Sequence, residues 1–417
     1  MNRKLIAVVI FARTVAAQPV RVVGTGDPNV DVPAVQAAVD QGGRVILQGH
    51  FSFDAPPTAA EPSSLLLSGT AGMIRVSKAV AISGALDDQG EMTTIEGGTN
   101  PFYVEAPGAR VAIEGLHFTH SRAMAIRVVA TSGLVIASNR IEGVEPDTKF
   151  AAAVVVSTSP GDNPPNTGVG QPENISGTLW IANNDIDLQG TAVGTYLGII
   201  VFAVGKSPDQ EADLYVSGNN MRNSTERPVD IYAVGGRAYI EGNIITTTGG
   251  AGVNVAPSGD VIHIVGPGSY LIAHNSIDCQ WTSGMQAGIR LQTRPDQPVS
   301  HAIVVDNDVN MSAPEGTMFG VTSAAIEIRG ASEGNIVLNN RIRGRANFAL
   351  SVAASTPGSA DQTGVPQNTT FIMNDLHGFT SAQADLFVDA GGTKTIAVGG
   401  QGTVEDHGVG TVIVPVR

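Results

Sequence analysis

The sequence predicts an all-β fold, a parallel β-helix in which one chain winds through stacked coils. Two recurring patterns and their spacing predict it. An apolar-x-x-Asn-x-apolar motif runs from Ile136-x-x-Asn139-x-Ile141 to Phe371-x-x-Asn374-x-Leu376. Between its copies sits a short segment that alternates apolar and other residues, usually opening on a small one. Successive motif asparagines lie 45, 35, 24, 32, 32, 33 and 34 residues apart, so one structural unit repeats while its loops vary.

The Asn motif contains Asn139, Asn184, Asn219, Asn243, Asn275, Asn307, Asn340 and Asn374. An earlier copy, Ile113-x-x-Leu116-x-Phe118, carries Leu in place of Asn. Stacked asparagines can hydrogen-bond along a solenoid and satisfy turn backbone groups. Asn also tolerates the left-handed backbone of a sharp corner. These asparagines are therefore expected to be structural.

The second segment reads Ala125-Ile126-Arg127-Val128, Gly198-Ile199-Ile200-Val201, Gly252-Val253-Asn254-Val255, Gly288-Ile289-Arg290-Leu291, Ala325-Ile326-Glu327-Ile328 and Ala349-Leu350-Ser351-Val352. A period of two is a strand, not a helix. Near the start, Val32, Val35, Ala38 and Val39 share one face of a helix expected over Pro33 to Asp40. Gly42-Gly43 ends it, and Val45-Ile46-Leu47 begins a strand. Such a helix would cap the open first coil, where a bare rung exposes its core and strand edges.

Composition agrees and narrows the partners. Gly is 50 of 417 residues, about 12% against the usual ~7%, which suits a turn-rich solenoid. The net charge of −14 makes nucleic acid a poor partner. One cysteine, Cys279, excludes an internal disulfide framework, and no CxxC or HExxH is present for zinc. No metal or cofactor is expected.

Asn2-Arg3-Lys4, the apolar Leu5 to Ala12 and the small Val15-Ala16-Ala17 form an export signal over residues 1–17, interrupted by Arg13. Residues 18–417 then form a single β-helix domain. No other run approaches the ~20 apolar residues of a membrane helix. The expected protein is secreted or periplasmic, and the sequence is compatible with a homo-oligomer.

The chain resembles a secreted right-handed parallel β-helix protein of the pectate-lyase-like superfamily. The segments that carry the resemblance are "DVPAVQAAVDQGGRVILQG", "GLVIASNRIEG", "YLIAHNSIDC" and "NIVLNNRIRG". It covers nearly the whole mature chain and is specific for fold, not function. That superfamily holds polysaccharide lyases, glycoside hydrolases, epimerases, esterases, phage spikes and adhesins. The NTD, GHG and RIK segments of polygalacturonases and the DPHDR motif of alginate epimerases are absent.

The resemblance places substrate on the outer face of the small-residue strands. Alternation gives two outward columns, and their middle is polar: Asp230, Tyr232, Asn254, Arg290, Gln292, Glu327 and Arg329. Arg290, Glu327 and Arg329 alternate in sign and could simply pair on a solvated sheet face. Alternatively, Asp230, Tyr232, Arg290, Glu327 and Arg329 are catalytic, with Asn254, Gln292 and the loop residue His263 contacting a polysaccharide or oligosaccharide. Asp230 and Glu327, three rungs or roughly 14 Å apart, are too distant for a glycosidase pair, which needs ~5–9.5 Å. A hydrolase would need a loop acid such as Asp260 or Asp296. β-Elimination needs cations for a uronate carboxylate, supplied by Arg290 and Arg329, and a base, Tyr232 or His263. The polar cluster favours a lyase-type enzyme over a hydrolase or a non-catalytic adhesin- or spike-like module. Mass spectrometry of the exported product is expected to show a chain beginning near Gln18; retention of residues 1–17 in a cytoplasmic product would remove the export signal from the account.

Overall fold

The computed structural model describes residues 18–415 apart from 55–71, 145–149, 158–173, 189–194, 205–210, 225–226, 248–258, 280–284, 294–297, 313–322, 355–363 and 401. The proposed signal segment 1–17 lies outside the described residues. All named strand pairings are parallel, and each complete coil contributes one strand to each of three sheets. Strands leading into the asparagine motif form a 14-stranded ladder sheet that runs from Val20–Val23 to Val412–Val414. Strands leaving the motif, such as Arg140–Glu142 and Ser276–Cys279, form a short-strand sheet. The third, small-residue sheet includes Met124–Ala130, Val229–Val234, Met285–Gln292 and Ala324–Arg329. The strand Arg341–Ala353 runs through the last two sheets without a break.

Alternation decides what lies inside. On the ladder sheet Ile113, Ile136, Ile181, Val216, Ile240, Ile272, Val304, Val337 and Phe371 stack rung on rung and are buried. They join one continuous core with Ile141 and Ile277 of the short-strand sheet and Ile126 and Ile289 of the small-residue sheet. Cys279 is buried in the same core. A tube of this kind has no second layer, so each apolar side chain packs on rungs above and below it.

Eight of the fourteen ladder-sheet strands end at a ladder asparagine; the others lie at the two ends. The asparagine hydrogen bonds run in one direction along the tube and repeat. Asn275 Nδ2 donates to Asn307 Oδ1 at 2.9 Å and to Ile240 O at 2.8 Å. Its backbone N–H also donates to Asn307 Oδ1, at 3.0 Å. Its own Oδ1 accepts the same two bonds from Asn243. The pattern holds from Asn139 to Asn374, and all eight side chains are buried. The first link is Leu116, whose N–H donates to Asn139 Oδ1.

One detail of the corner differs from expectation. The left-handed backbone belongs to the residue before each asparagine, with φ 55° at Ser138, 55° at Asn183, 56° at His274, 55° at Asp306 and 50° at Met373. None of the ladder asparagines has positive φ. Their backbone N–H must point along the tube to the next Oδ1, which leaves the turn to the preceding residue. His274 is thus a corner residue, as its place ahead of Asn275 suggested.

The N-terminal helix spans Pro28–Val39 and starts earlier than the apolar spacing implied. Asp27 accepts from the Asn29 N–H as N-cap, and Pro28 fits the first helical turn. Val35, Ala38 and Val39 join the core beside Val45, Leu47 and Phe51. Buried Asp31 accepts from the N–H groups of Thr25, Gly26 and Ser52, which fastens the helix to the first coil.

Replacing one ladder asparagine orphans buried partners on two rungs. Asn275→Ala or Asn307→Ala is expected to lower stability by about 1–3 kcal/mol in denaturant titrations. Asn275→Asp should cost more, because a carboxylate oxygen would replace the Nδ2 donor opposite Asn307 Oδ1 and Ile240 O. Unchanged midpoints in all three variants would contradict a stabilising ladder.

Candidate functional site

The small-residue sheet brings most of the expected polar residues into register. Its central outward column runs Arg127, Val155, Ile200, Asp230, His263, Arg290, Glu327 and Ser351. The neighbouring column holds Phe202, Tyr232, Val265, Gln292 and Arg329. Asp230 and Glu327 are three rungs apart, as the alternation implied.

The second polar rung differs. His263 occupies the position expected for Asn254, because the strand there is Gly259–Val265. His263 is therefore a sheet residue and not a loop residue. Asn254 and Asp296 lie outside the described residues.

A second correction concerns exposure. The polar column is neither a solvated ladder nor an open face. Asp230, His263 and Arg290 are each 2% exposed, Asp260 and Glu327 0%, Tyr232 4% and Arg329 6%. Only Gln292 and Arg227 keep appreciable exposure, with 22% of the Arg227 side chain accessible. Toward the N-terminus the same face is equally buried and, apart from Arg127 and Ser157, apolar, with Met124, Ala152, Val155, Ile200 and Phe202 packed as a cluster separate from the tube core. Alternation locates the outward face but says nothing of what covers it.

Buried charges must pair, and these do. Three arginines, Arg227, Arg290 and Arg329, face three carboxylates, Asp230, Asp260 and Glu327. It divides into two parts. In the first, Arg290 Nε donates to Glu327 Oε2, and Arg290 NH1 to Asp260 Oδ2 at 2.8 Å. Arg329 NH1 lies 4.0 Å from Glu327 Oε2. Asp260 Oδ1 and Glu327 Oε1 have no hydrogen-bond partner among the described residues. Burial opposes the charge on Arg290, but Asp260 and Glu327 outweigh it and raise its pKa. Burial leads for Arg329 and lowers its pKa.

In the second part, Asp230 Oδ1 lies 2.8 Å from His263 Nδ1, and Asp230 Oδ2 accepts from Arg227 NH1 at 3.1 Å. Burial would raise the Asp230 pKa, but Arg227 and His263 outweigh it and hold the carboxyl below its ordinary value. An ionised Asp230 can only accept, so Nδ1 of His263 carries the proton. Nε2 faces two oxygens that only accept, the Gln292 amide oxygen at 3.1 Å and Asp260 Oδ2 at 3.9 Å, and turning the Gln292 amide over presents its NH2 as the donor that Nε2 needs. Arg227 NH1 is also 3.3 Å from the Tyr232 hydroxyl. The Tyr232 ring stacks on Phe202 at 4.3 Å and meets the His263 ring edge-on at 5.6 Å.

Sequence reasoning missed Arg227. It sits just before Pro228, outside the strand Val229–Val234, so no alternating column contains it. Its three-residue separation from Asp230 was the available signal. Asp260, expected in a loop, lies in the strand Gly259–Val265 against Arg290. Among the described residues no group of His, Cys, Asp and Glu is arranged to hold a metal ion, and no helix is long and apolar enough to cross a membrane.

The architecture has counterparts of known structure. The chain is similar to PfbA, a surface adhesin of Streptococcus pneumoniae, at 12% identity and a TM-score of 0.53, over 89% of this chain and 91% of that one. A second structure of that adhesin gives 11% identity and a TM-score of 0.51, over 92% and 98%. The chain is a right-handed parallel β-helix protein. At such identities the likeness concerns the fold of this β-helix protein and not its chemistry. A mannuronic acid specific polysaccharide family 6 lyase from human gut microbiota gives 12% identity over 91% and 86%, at a TM-score of 0.37, too distant to bear on the site. No family model matches the chain, and no curated protein matches it.

The two parts of the cluster make a stability forecast. Arg290→Met is expected to cost about 3–5 kcal/mol, since two buried carboxylates lose their common cation. Asp230→Asn should also destabilise at neutral pH. A depressed folded pKa gives stability that is present above the unfolded carboxylate value, ~3.9, and is lost as pH falls through the folded value. The gap between parent and Asp230→Asn should thus narrow below about pH 4. A gap independent of pH would show that the Asp230 charge does not support the fold.

Proposed function

We propose that the protein is an exported, carbohydrate-active β-helix, of lyase type, with its chemistry at the Arg227–Asp230–Tyr232–His263–Gln292 end of the cluster. One observation carries the reading. At this end a His–carboxylate pair at 2.8 Å adjoins a tyrosine hydroxyl and an arginine that keeps solvent exposure. Arg290 and Arg329, expected to hold the substrate carboxylate, are turned to Glu327 and Asp260 instead. Arg227 takes over that role.

The chemistry follows from the positions. Arg227 pairs with the carboxylate of a uronic acid and favours charge developing on it as the neighbouring carbon loses its proton. His263 Nε2, with Nδ1 fixed by Asp230, accepts the C5 proton once Gln292 yields to substrate. The C5–H electron pair forms the C4=C5 double bond, the C4–O bond breaks, and the Tyr232 hydroxyl supplies the proton to the leaving oxygen. The arginine makes an acidic polysaccharide approachable despite the net charge of −14.

A second reading, a non-catalytic surface module, is favoured by the burial of the Arg290–Arg329–Glu327–Asp260 part, in which two arginines face two carboxylates. Absorbance of unsaturated products from a panel of uronate polysaccharides decides between them. The lyase reading expects turnover that His263→Gln lowers by about 100-fold or more, in the range of a lost general base. Arg227→Lys should mainly raise KM. A reducing-end assay on neutral glycans covers the hydrolase alternative. Silence on both panels from folded protein would leave the non-catalytic reading.

A further inference from the structure

The outer faces of the ladder and short-strand sheets differ sharply over the same rungs. On the short-strand sheet the outward positions are polar or charged: Ser276 and Asp278, Asp308 and Asn310, Arg341 and Arg343. Arg343 pairs with Asp308 at 2.6 Å, and Asn310 bonds Asp278 at 2.9 Å. That face is made for water.

The ladder sheet presents the opposite. Over its last six rungs in the Leu271 register, one outward column runs Leu271, Ile303, Ile336, Thr370, Ile396 and Val412. The column beside it runs Ala273, Val305, Leu338, Ile372, Val398 and Val414. Eleven of these twelve positions are apolar and none is charged, in a chain that is 15% charged. Ile303 is 38% exposed and Ile396 39%, the positions between them are half-buried, and Ala273 is buried; at the last rung Val412, Ile413 and Val414 are all exposed, which reflects the end of the tube. Single exposed apolar residues are ordinary, but a continuous stripe is not.

We infer that this stripe is the interface of a homodimer, each copy laying it face to face on the same stripe of the other. Three arguments choose a second copy of this chain as the occupant. First, two molecules that each carry −14 repel over most of their surface, and the stripe is an uncharged face where they can approach. The same negative charge disfavours an anionic membrane, and the stripe carries no basic residue to anchor one. Second, the stripe is straight and regular, and two such β faces pack as the layers of a sandwich, ~10 Å apart with aligned strands. Third, the area fits. Six rungs at ~4.8 Å and two columns ~7 Å apart cover roughly 400 Å². That is about half the ~800 Å² per partner of a stable interface, the share expected of its apolar centre inside a polar rim.

A sugar is a poorer occupant. The aromatic side chains that continue the stripe, Trp180, Tyr215 and Tyr239, stack on one another at 4.0 and 4.8 Å with planes 5° and 8° apart. Their faces are spent on each other, so a ligand lying along the sheet would meet ring edges.

Sedimentation velocity across a micromolar concentration range tests the inference. The expected result is a monomer–dimer equilibrium that tightens with added salt, as repulsion is screened. The paired variant Ile303→Asp/Ile336→Asp should weaken the dimer by at least about tenfold. Ile303→Thr/Ile336→Thr, which keeps strand propensity, should weaken it in the same direction and guards against a folding defect. Thr246→Asp on the short-strand sheet should leave it unchanged. A monomer at every concentration, a dimer indifferent to both pairs, or binding of monomer to neutral phosphatidylcholine vesicles through this face would each overturn the inference.

Discussion

The structure depends on the hydrogen bond from one asparagine side chain to the next along the corner of the tube. Each of the eight ladder asparagines donates back to a ladder-sheet carbonyl, and the first seven also donate forward to the next Oδ1. Because the side-chain period of a strand is two, a one-residue slip would turn every inward side chain outward. The asparagine ladder ties each coil to its neighbour at one fixed residue, and the apolar columns follow from that tie. The chain can then vary its loops widely, from 24 to 45 residues between asparagines, without losing register.

Fixed register turns sequence alternation into surface design. The three outward faces carry three chemistries on one backbone. The short-strand sheet is charged and solvated, the C-terminal half of the ladder sheet is apolar and partly exposed, and the small-residue sheet holds charges that are buried. The last arrangement is the most demanding, since every buried ion needs a partner. The cluster meets that demand through alternating arginines and carboxylates. At one end Arg227 and Gln292 retain solvent exposure beside the buried His263, and it is there that substrate chemistry is proposed.

Much of this was legible in the residues. Eight asparagine copies and alternating segments sufficed for the coil, and the columns correctly joined Asp230, Tyr232, Arg290, Gln292, Glu327 and Arg329. What stayed hidden has physical reasons. The coil between Asn243 and Asn275 contains two strand-like segments, Gly252 to Val255 and Val261 to Val265, and pattern alone chose the first where the pairing uses the second. Arg227 acts from a turn, and turns have no period. The burial of the cluster is a tertiary property, invisible to alternation, which made an outward column look solvated. The helix began at Pro28 because Asp27 caps it, a signal that the apolar spacing alone overlooks.

Amide hydrogen exchange tests the central dependence most directly. The backbone N–H groups of Asn184, Asn219, Asn243, Asn275 and Asn307 donate to side-chain carbonyl oxygens of the next rung. If the ladder holds the coils in register, these amides open only with the core, and their protection should match that of Ile240, Ile272 and Val304 in the adjoining strands. Exchange of the asparagine amides at the rate of surface turns, beside fully protected strands, would show that the coils keep register without the ladder and would contradict the account.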